Sequence, residues 1–102
     1  NWLKSELNGL KKDFPLIGDV RGEGFFLGVE LVQDPLTREP APLQAGYIVE
    51  RMKSKRILLS TEGPGHNVLK FKPPMVFGRK EGLNFLENLE SILSETPLRH
   101  KP

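Results

Sequence analysis

Two lysines, Lys70 and Lys72, stand two residues apart in an alternating run of apolar and polar residues that ends at Pro73 and Pro74. The alternation predicts a β-strand, in which residues two apart lie on the same face of the sheet. Proline has no backbone N–H, so the two prolines end the hydrogen-bonded ladder. The pattern therefore predicts two ammonium groups at the end of a strand, where they can bind an anionic ligand. Lysines on an edge strand also protect against aggregation, and this alternative stays open.

Three glycines, Gly22, Gly24 and Gly28, form a pattern that superficially matches a dinucleotide-binding loop. Such a loop follows a strand and opens a helix, whereas these glycines precede and interrupt an aromatic, β-type run. Close backbone packing or a β-bulge is therefore the favoured interpretation. With Arg21 the stretch also matches part of an RNA-recognition signature, but Glu23 and a glycine stand where that signature needs stacking aromatics. We predict no nucleic-acid partner, with a stand-alone RNA- or polyanion-binding module as the alternative.

Composition narrows the classes of site and partner further. His66 has no nucleophile or orienting carboxylate close to it in the sequence, so we interpret it as a solvent-facing turn residue rather than a catalytic base. Without cysteine and with only one other histidine, His100, the sequence predicts neither a disulfide nor a metal site. The formal net charge of +2 indicates no polyanionic partner. No apolar run approaches the roughly 20 residues that span a bilayer, so no membrane partner is predicted.

Apolar periodicity places these residues on a simple framework. The predicted elements are a helix from Trp2 to near Phe14, an extended segment at 17–20, a central strand at 25–32, a helix at 43–52, strands at 56–60 and 67–71, and a helix at 78–93. The last two strands form a hairpin around the turn at 63–65. This order predicts an α+β fold, a small and mainly antiparallel sheet of three to four strands covered by about three helices. Residues 1–95 form the domain and residues 96–102 a flexible tail, and the start at Asn1 without a methionine suggests a piece of a longer protein.

Two segments carry a resemblance to a known family. Residues 17–30, IGDVRGEGFFLGVE, and residues 58–75, LLSTEGPGHNVLKFKPPM, resemble the C-terminal small domain of class III aminotransferases, which depend on pyridoxal 5′-phosphate (PLP). The resemblance spans nearly the whole chain. Within the family the chain is most similar to the phospho-lyase branch.

The resemblance implies an enzyme that uses PLP to eliminate phosphate and ammonia from a small phosphorylated amine. Amino-group transfer by another class III aminotransferase is the alternative. The Schiff-base lysine and most of the cofactor site are implied to lie in the protein's own large domain, so this chain would hold no catalytic residue, bind no PLP alone and be inactive alone. A homo-oligomer is implied, with a mitochondrial location or, alternatively, a cytoplasmic one.

The resemblance also separates the two lysines. Lys70 stands three residues before the paired prolines, where related aminotransferases carry an arginine that binds a substrate carboxylate through two parallel hydrogen bonds. Lysine offers a point charge instead, which implies a different anionic substrate and makes Lys70 the candidate substrate-binding residue. Arg21, Gly22 and Gly24 are implied to lie at the interface with the large domain, and Lys72 receives no role.

Overall fold

The computed structural model describes residues 2–23, 26–71 and 79–95. In chain order its elements are α1 (Trp2–Asp13), β1 (Ile17–Glu23), β2 (Phe26–Leu31), α2 (Pro42–Ser54), β3 (Leu59–Glu62), β4 (Val68–Phe71) and α3 (Arg79–Leu93). The four strands form one antiparallel sheet in the order β1-β2-β4-β3. The predicted α+β class, with three helices on a small antiparallel sheet, is confirmed.

The helices cover one face of this sheet. Successive side chains of a strand point to opposite faces, and Val20, Val29 and Leu69, which are cross-strand neighbours, point toward the helices. Helix α1 packs on β1 and α3, while α2 packs on β3 and α3. Burial of apolar side chains between these layers is the main force that holds the fold together. The core consists of Leu3, Leu7, Ile17, Val20, Leu27, Val29, Leu31, Ala41, Ala45, Ile48, Met52, Leu59, Leu69, Phe85, Leu86, Leu89, Ile92 and Leu93.

The contact between α1 and α3 depends on a glycine. A Cβ atom on Gly82 would lie 2.8 Å from the ring of Trp2, so the absent side chain lets the indole lie against the helix backbone. The guanidinium of Arg79 lies 4.7 Å from the centroid of the same ring, a cation–π distance. Trp2, the first residue of α1, therefore packs against Arg79 and Gly82 in the first turns of α3.

Three predictions about the sheet need correction. The extended segment predicted at 17–20 is the first part of β1, which continues to Glu23 and pairs with β2 as a hairpin. Strand β4 lies between β2 and β3, so the interpretation of Lys70 as an edge-strand lysine is wrong. Strand β3 begins at Leu59 rather than at residue 56, because Arg56, with φ of 64°, ends α2. The amides of Arg56 and Ile57 bond back to Lys53 and Met52 in a Schellman arrangement.

Some of the predicted features lie outside the described residues: Gly24, Lys72, the paired prolines and the tail at 96–102. Within the described part of the chain, no helix is both long and apolar enough to cross a membrane.

Candidate functional site

A cleft of about 310 Å³ opens on the sheet face that the helices leave uncovered. It is lined by Arg21, Gly22, Gly28, Glu62, Gly63, Val68 and Lys70. The sheet register explains this grouping, because Gly28 is the direct cross-strand partner of Arg21 on one side and of Lys70 on the other. Adjacent strands are about 4.8 Å apart, so the two cationic residues stand roughly 10 Å apart at their backbones. Gly28, which has no side chain, therefore forms the floor of the cleft between Arg21 and Lys70.

Gly28 leaves the floor of the cleft open. A Cβ atom at this position would lie 3.1 Å from Cγ1 of Val68 and 3.6 Å from Cε of Lys70. The aliphatic stem of Lys70 therefore passes close to the glycine, and its ammonium reaches the cleft. The Lys70 side chain is 43% exposed, so its charge is available to a ligand from solvent.

Lys70 has a carboxylate close by. Its Nζ atom lies 3.7 Å from Oε1 of Glu62, at the limit of an ion pair. In the β3–β4 hairpin Ser60 is the direct partner of Lys70, so Glu62 is its diagonal neighbour on the same face. Both side chains are about half exposed, and such pairs contribute only about 0–1 kcal/mol to stability. The pair is weak enough to open when an anion binds Lys70.

Arg21 is held more firmly. Its Nη1 atom lies 3.4 Å from Asp19 and 3.5 Å from Glu30. Glu30 in turn accepts a 2.6 Å hydrogen bond from Arg38, which also donates to the carbonyl of Gly18 at 3.4 Å. Arg38 takes this position from a left-handed backbone conformation, φ 61°, in the loop after β2. The network fixes the loop and Arg21 against the same sheet face.

This arrangement is suited to binding an anion rather than to bond-breaking by the chain itself. His66 is exposed in the β3–β4 turn, as predicted, with its backbone N–H bonded to Gly63. Among the described residues no group of histidine, aspartate and glutamate side chains is placed to hold a metal ion. The described lining of the cleft offers two cations, one carboxylate and a floor of glycine and valine. These groups can bind an anion through charge and hydrogen bonds.

The structure brings together three of the site residues predicted from the sequence. Lys70, Arg21 and Gly22 line one cleft, and Gly22 lies within β1 with φ of 107°. Because Gly22 and Gly28 lie within paired strands, they do not form a strand-to-helix nucleotide loop. Sequence reasoning missed the contribution of Glu62. The predicted strand ended at residue 60, and only the register of the folded hairpin places Glu62 diagonally to Lys70.

A second polar cluster lies away from the cleft and joins α2 to the end of α3. Arg51 donates to Glu95 through Nε at 2.9 Å and Nη2 at 2.6 Å, and the Tyr47 hydroxyl donates to the same carboxylate. Hydrogen bonds from Arg51 and then from Tyr47 lower the pKa of Glu95 to about 2, although partial desolvation opposes the shift. The bond to Glu95 also raises the pKa of the Tyr47 phenol and of the Arg51 guanidinium. The cluster secures the C-terminal end of α3.

Proteins similar to this chain are several times longer. Over 100 residues it is 46% identical to a Drosophila melanogaster protein named as alanine–glyoxylate aminotransferase 2-like, a match that covers 93% of this chain and 20% of that protein. Over 93 residues it is 41% identical to ethanolamine-phosphate phospho-lyase homolog 1 of Caenorhabditis elegans, covering 90% and 20% respectively. The chain thus spans about a fifth of the length of these curated relatives. No family model matches it.

The same likeness holds in three dimensions. A solved phospholyase from Arthrobacter, in complex with phosphoethanolamine, superimposes with a TM-score of 0.86 at 34% sequence identity. The match covers 94% of this chain and 23% of the solved chain.

Proposed function

We propose that this chain, whose homologues are PLP-dependent enzymes of the class III aminotransferase family, is the C-terminal small domain of a phospho-lyase. In the proposed reaction a small phosphorylated amine loses phosphate by elimination, and one water molecule then hydrolyses the remaining carbon–nitrogen bond, which releases ammonia and leaves an aldehyde. The observation that carries the proposal is the placement of Lys70 and Arg21 on either side of Gly28 in one open cleft. The exposed ammonium of Lys70 beside Gly28 suits a phosphate group, which spreads its charge over three oxygens, and Arg21 adds positive charge at the rim of the cleft.

The cleft does not fit the cofactor itself. PLP would act as the electron sink of the elimination, and it needs a Schiff-base lysine and groups that hold its ring. Among the described lining residues there is no aromatic side chain to stack on a pyridine ring, and Lys70 lies beside Glu62 on an open sheet face. We therefore assign PLP to the protein's own large domain and propose that residues 1–95 act as the small domain packed against it.

The role proposed for this chain is to bind and orient the substrate. The ammonium of Lys70 would donate hydrogen bonds to phosphate oxygens and hold the leaving group in place. A lysine has three donors on a rotating point charge, whereas an arginine at this position would favour a flat carboxylate. Arg21 and Gly22, at the rim of the same cleft, would contact the large domain, and we extend this role to Gly24. No proton transfer is assigned to a residue of this chain.

For the substrate we favour 5-phosphohydroxy-L-lysine, on the resemblance of the turn at 61–65 and of the run FKPP to the corresponding phospho-lyase. Phosphoethanolamine is the second candidate, because the similar phospholyase from Arthrobacter was solved in complex with it. We also propose a homo-oligomer and a mitochondrial location. A homologue from Arabidopsis thaliana carries that location in its name.

The test is kinetic and uses the complete enzyme that carries this chain. Phosphate and ammonia release are measured with each phosphorylated amine, for the wild type, for Lys70→Ala and for a control, Lys80→Ala. Lys80 is an exposed lysine of α3, which packs on α1 and α2, the helices that cover the other face of the sheet. Loss of a charged hydrogen bond costs about 1.5–3 kcal/mol, so Lys70→Ala should lower kcat/KM roughly 10- to 100-fold without changing PLP content.

The outcomes are distinct. Equal release of phosphate and ammonia by the wild type supports the lyase reaction. Transfer of the amino group to a keto acid without phosphate release would replace it with the aminotransferase alternative. Kinetics of Lys70→Ala that match those of Lys80→Ala would remove Lys70 from the substrate site.

A further inference from the structure

The charges around the cleft are balanced before any ligand arrives. Among the described residues of this sheet face, Arg21 lies beside Asp19 and Glu30, and Lys70 lies beside Glu62. An anion that binds Lys70 therefore meets a carboxylate that already lies beside the ammonium.

The carboxylates differ in how easily they can be displaced. Glu30 is fixed by Arg38 at 2.6 Å and is only 20% exposed, so it cannot leave without breaking a second ion pair. Among the described residues Glu62 has one ion pair, 3.7 Å from Lys70, and its side chain is 53% exposed. It is the last residue of β3 and is followed by Gly63, whose φ is 86°. Glu62 is the carboxylate that can swing away from its cation and return.

We infer that Glu62 is a built-in competitor that limits how tightly Lys70 retains phosphate. The inference rests on the proposed function, in which phosphate is both part of the substrate and a product. When an anion occupies Lys70, Glu62 loses its partner and its negative charge repels the ligand. Both effects favour departure of the anion and the return of Glu62 to Lys70.

The repulsion gives the inference a specific signature. At one distance and one dielectric constant, Coulomb energy scales with the product of the charges. A phosphate dianion therefore feels about twice the repulsion that a carboxylate monoanion feels. Removal of the Glu62 charge should consequently tighten phosphate binding more than acetate binding, and added salt should reduce the difference. A residue that only supported the fold would not produce this order.

Protection of the Lys70 amine from chemical modification measures anion binding without reference to catalysis. The complete protein is treated with a limiting amount of an amine-acetylating reagent at increasing inorganic phosphate or acetate, with chloride holding the ionic strength constant. Mass spectrometry of the Lys70 peptide gives the midpoint of protection by each anion. The variants are Glu62→Gln, the carboxylate-retaining Glu62→Asp, and Glu87→Gln, which removes an exposed carboxylate from α3 on the opposite side of the sheet.

We expect Glu62→Gln to lower the phosphate midpoint roughly three- to tenfold and the acetate midpoint by a smaller factor. Glu62→Asp should lie between Glu62→Gln and the wild type, and Glu87→Gln should match the wild type. A phosphate midpoint in Glu62→Gln equal to that of Glu87→Gln would overturn the inference, as would failure of phosphate to protect Lys70 in the wild type.

The result is separable from the proposed reaction. If the complete protein releases no phosphate from either amine while Glu62→Gln still lowers the phosphate midpoint, the lyase reaction is refuted and the inference about Glu62 is supported. If phosphate is released but Glu62→Gln changes no midpoint, the inference about Glu62 is refuted and the lyase reaction is supported.

Discussion

Gly28 and Lys70 are direct cross-strand partners between β2 and β4, and Cε of Lys70 lies 3.6 Å from the position that a Cβ of Gly28 would occupy. The stem of the lysine thus runs beside a residue without a side chain. Arg21 pairs with the same glycine from β1. A single methyl group at position 28 would therefore stand between the two cations of the cleft.

We predict that Gly28→Ala weakens anion binding at Lys70. The new methyl would lie 3.1 Å from Cγ1 of Val68, tighter than ordinary van der Waals contact, and would crowd the Lys70 stem. A misplaced ammonium should raise the phosphate midpoint of Lys70 protection by roughly three- to tenfold. Gly46→Ala on α2, where a Cβ meets nothing within 4 Å, is the control and should leave the midpoint unchanged. An unchanged midpoint in Gly28→Ala would show that the open floor is not needed.

Two helical glycines should respond oppositely to alanine. Alanine is favoured over glycine inside a helix by about 1 kcal/mol, so Gly46→Ala should raise the free energy of unfolding by about 0.5–1 kcal/mol. At Gly82 the new Cβ would lie 2.8 Å from the Trp2 ring, so the indole must shift away from the α3 backbone. We expect Gly82→Ala to be destabilising by about 1 kcal/mol.

Urea unfolding measures both changes in stability. The chain has one tryptophan, so a red shift of its emission in Gly82→Ala reports displacement of Trp2 directly. Stabilisation of Gly82→Ala equal to that of Gly46→Ala, with an unshifted spectrum, would refute the contact between α1 and α3.

The features that sequence predicted well are those with local causes. The apolar period of 3.6 located α1, α2 and α3, and alternation with the turn at 63–65 located the hairpin of β3 and β4. The segment 17–23 carries glycines and charges in place of a continuous apolar run, so its continuation as a full strand was missed. Its stability comes from pairing with β2, which is a property of the folded sheet.

The residues of the candidate site likewise include one that local sequence could place and others that only the folded sheet brings together. Lys70 could be placed on one face of a strand from alternation alone, because the period of a strand is two residues. The position of β4 between β2 and β3 could not, since strand order depends on long-range pairing. Arg21 stands 49 positions before Lys70 in the sequence and shares its cleft only because Gly28 pairs with both. The hydrogen bond from Tyr47 to Glu95 in the second polar cluster is also long-range, because the two residues are 48 positions apart in the sequence.

Arg56 offers a backbone test of the end of α2. It follows the C-cap residue Lys55 with φ of 64°, the left-handed conformation that glycine adopts at this point of a Schellman motif. A non-glycine residue pays about 1–2 kcal/mol for this conformation, and Arg56 is exposed. Arg56→Gly should therefore raise the free energy of unfolding by about 1 kcal/mol, measured by urea unfolding.

Arg38 provides the contrast. It has a similar φ of 61°, but it holds Glu30 at 2.6 Å, so Arg38→Gly relieves the backbone and loses an ion pair. Its gain should be smaller than that of Arg56→Gly. Equal gains at both positions would contradict the structural role given to the Arg38–Glu30 pair.

The polar cluster of Arg51, Tyr47 and Glu95 predicts how the stability of the folded chain depends on pH. The pKa of Glu95 is lowered to about 2 in the folded chain from an ordinary value of 4.5, so the folded state binds the Glu95 proton less readily than the unfolded state. The stabilisation is therefore fully present above about pH 5 and is lost as the pH falls toward 2.

Glu95→Gln removes the carboxylate, so the difference in Tm between the wild type and this variant should be largest near pH 5 to 7 and should shrink steadily toward pH 2. Glu87→Gln, which removes an exposed carboxylate of the same helix, is the matched control and should show no such narrowing. A Tm difference between the wild type and Glu95→Gln that stays constant from pH 7 to pH 2 would mean that the carboxylate is not held in its charged form by Arg51 and Tyr47.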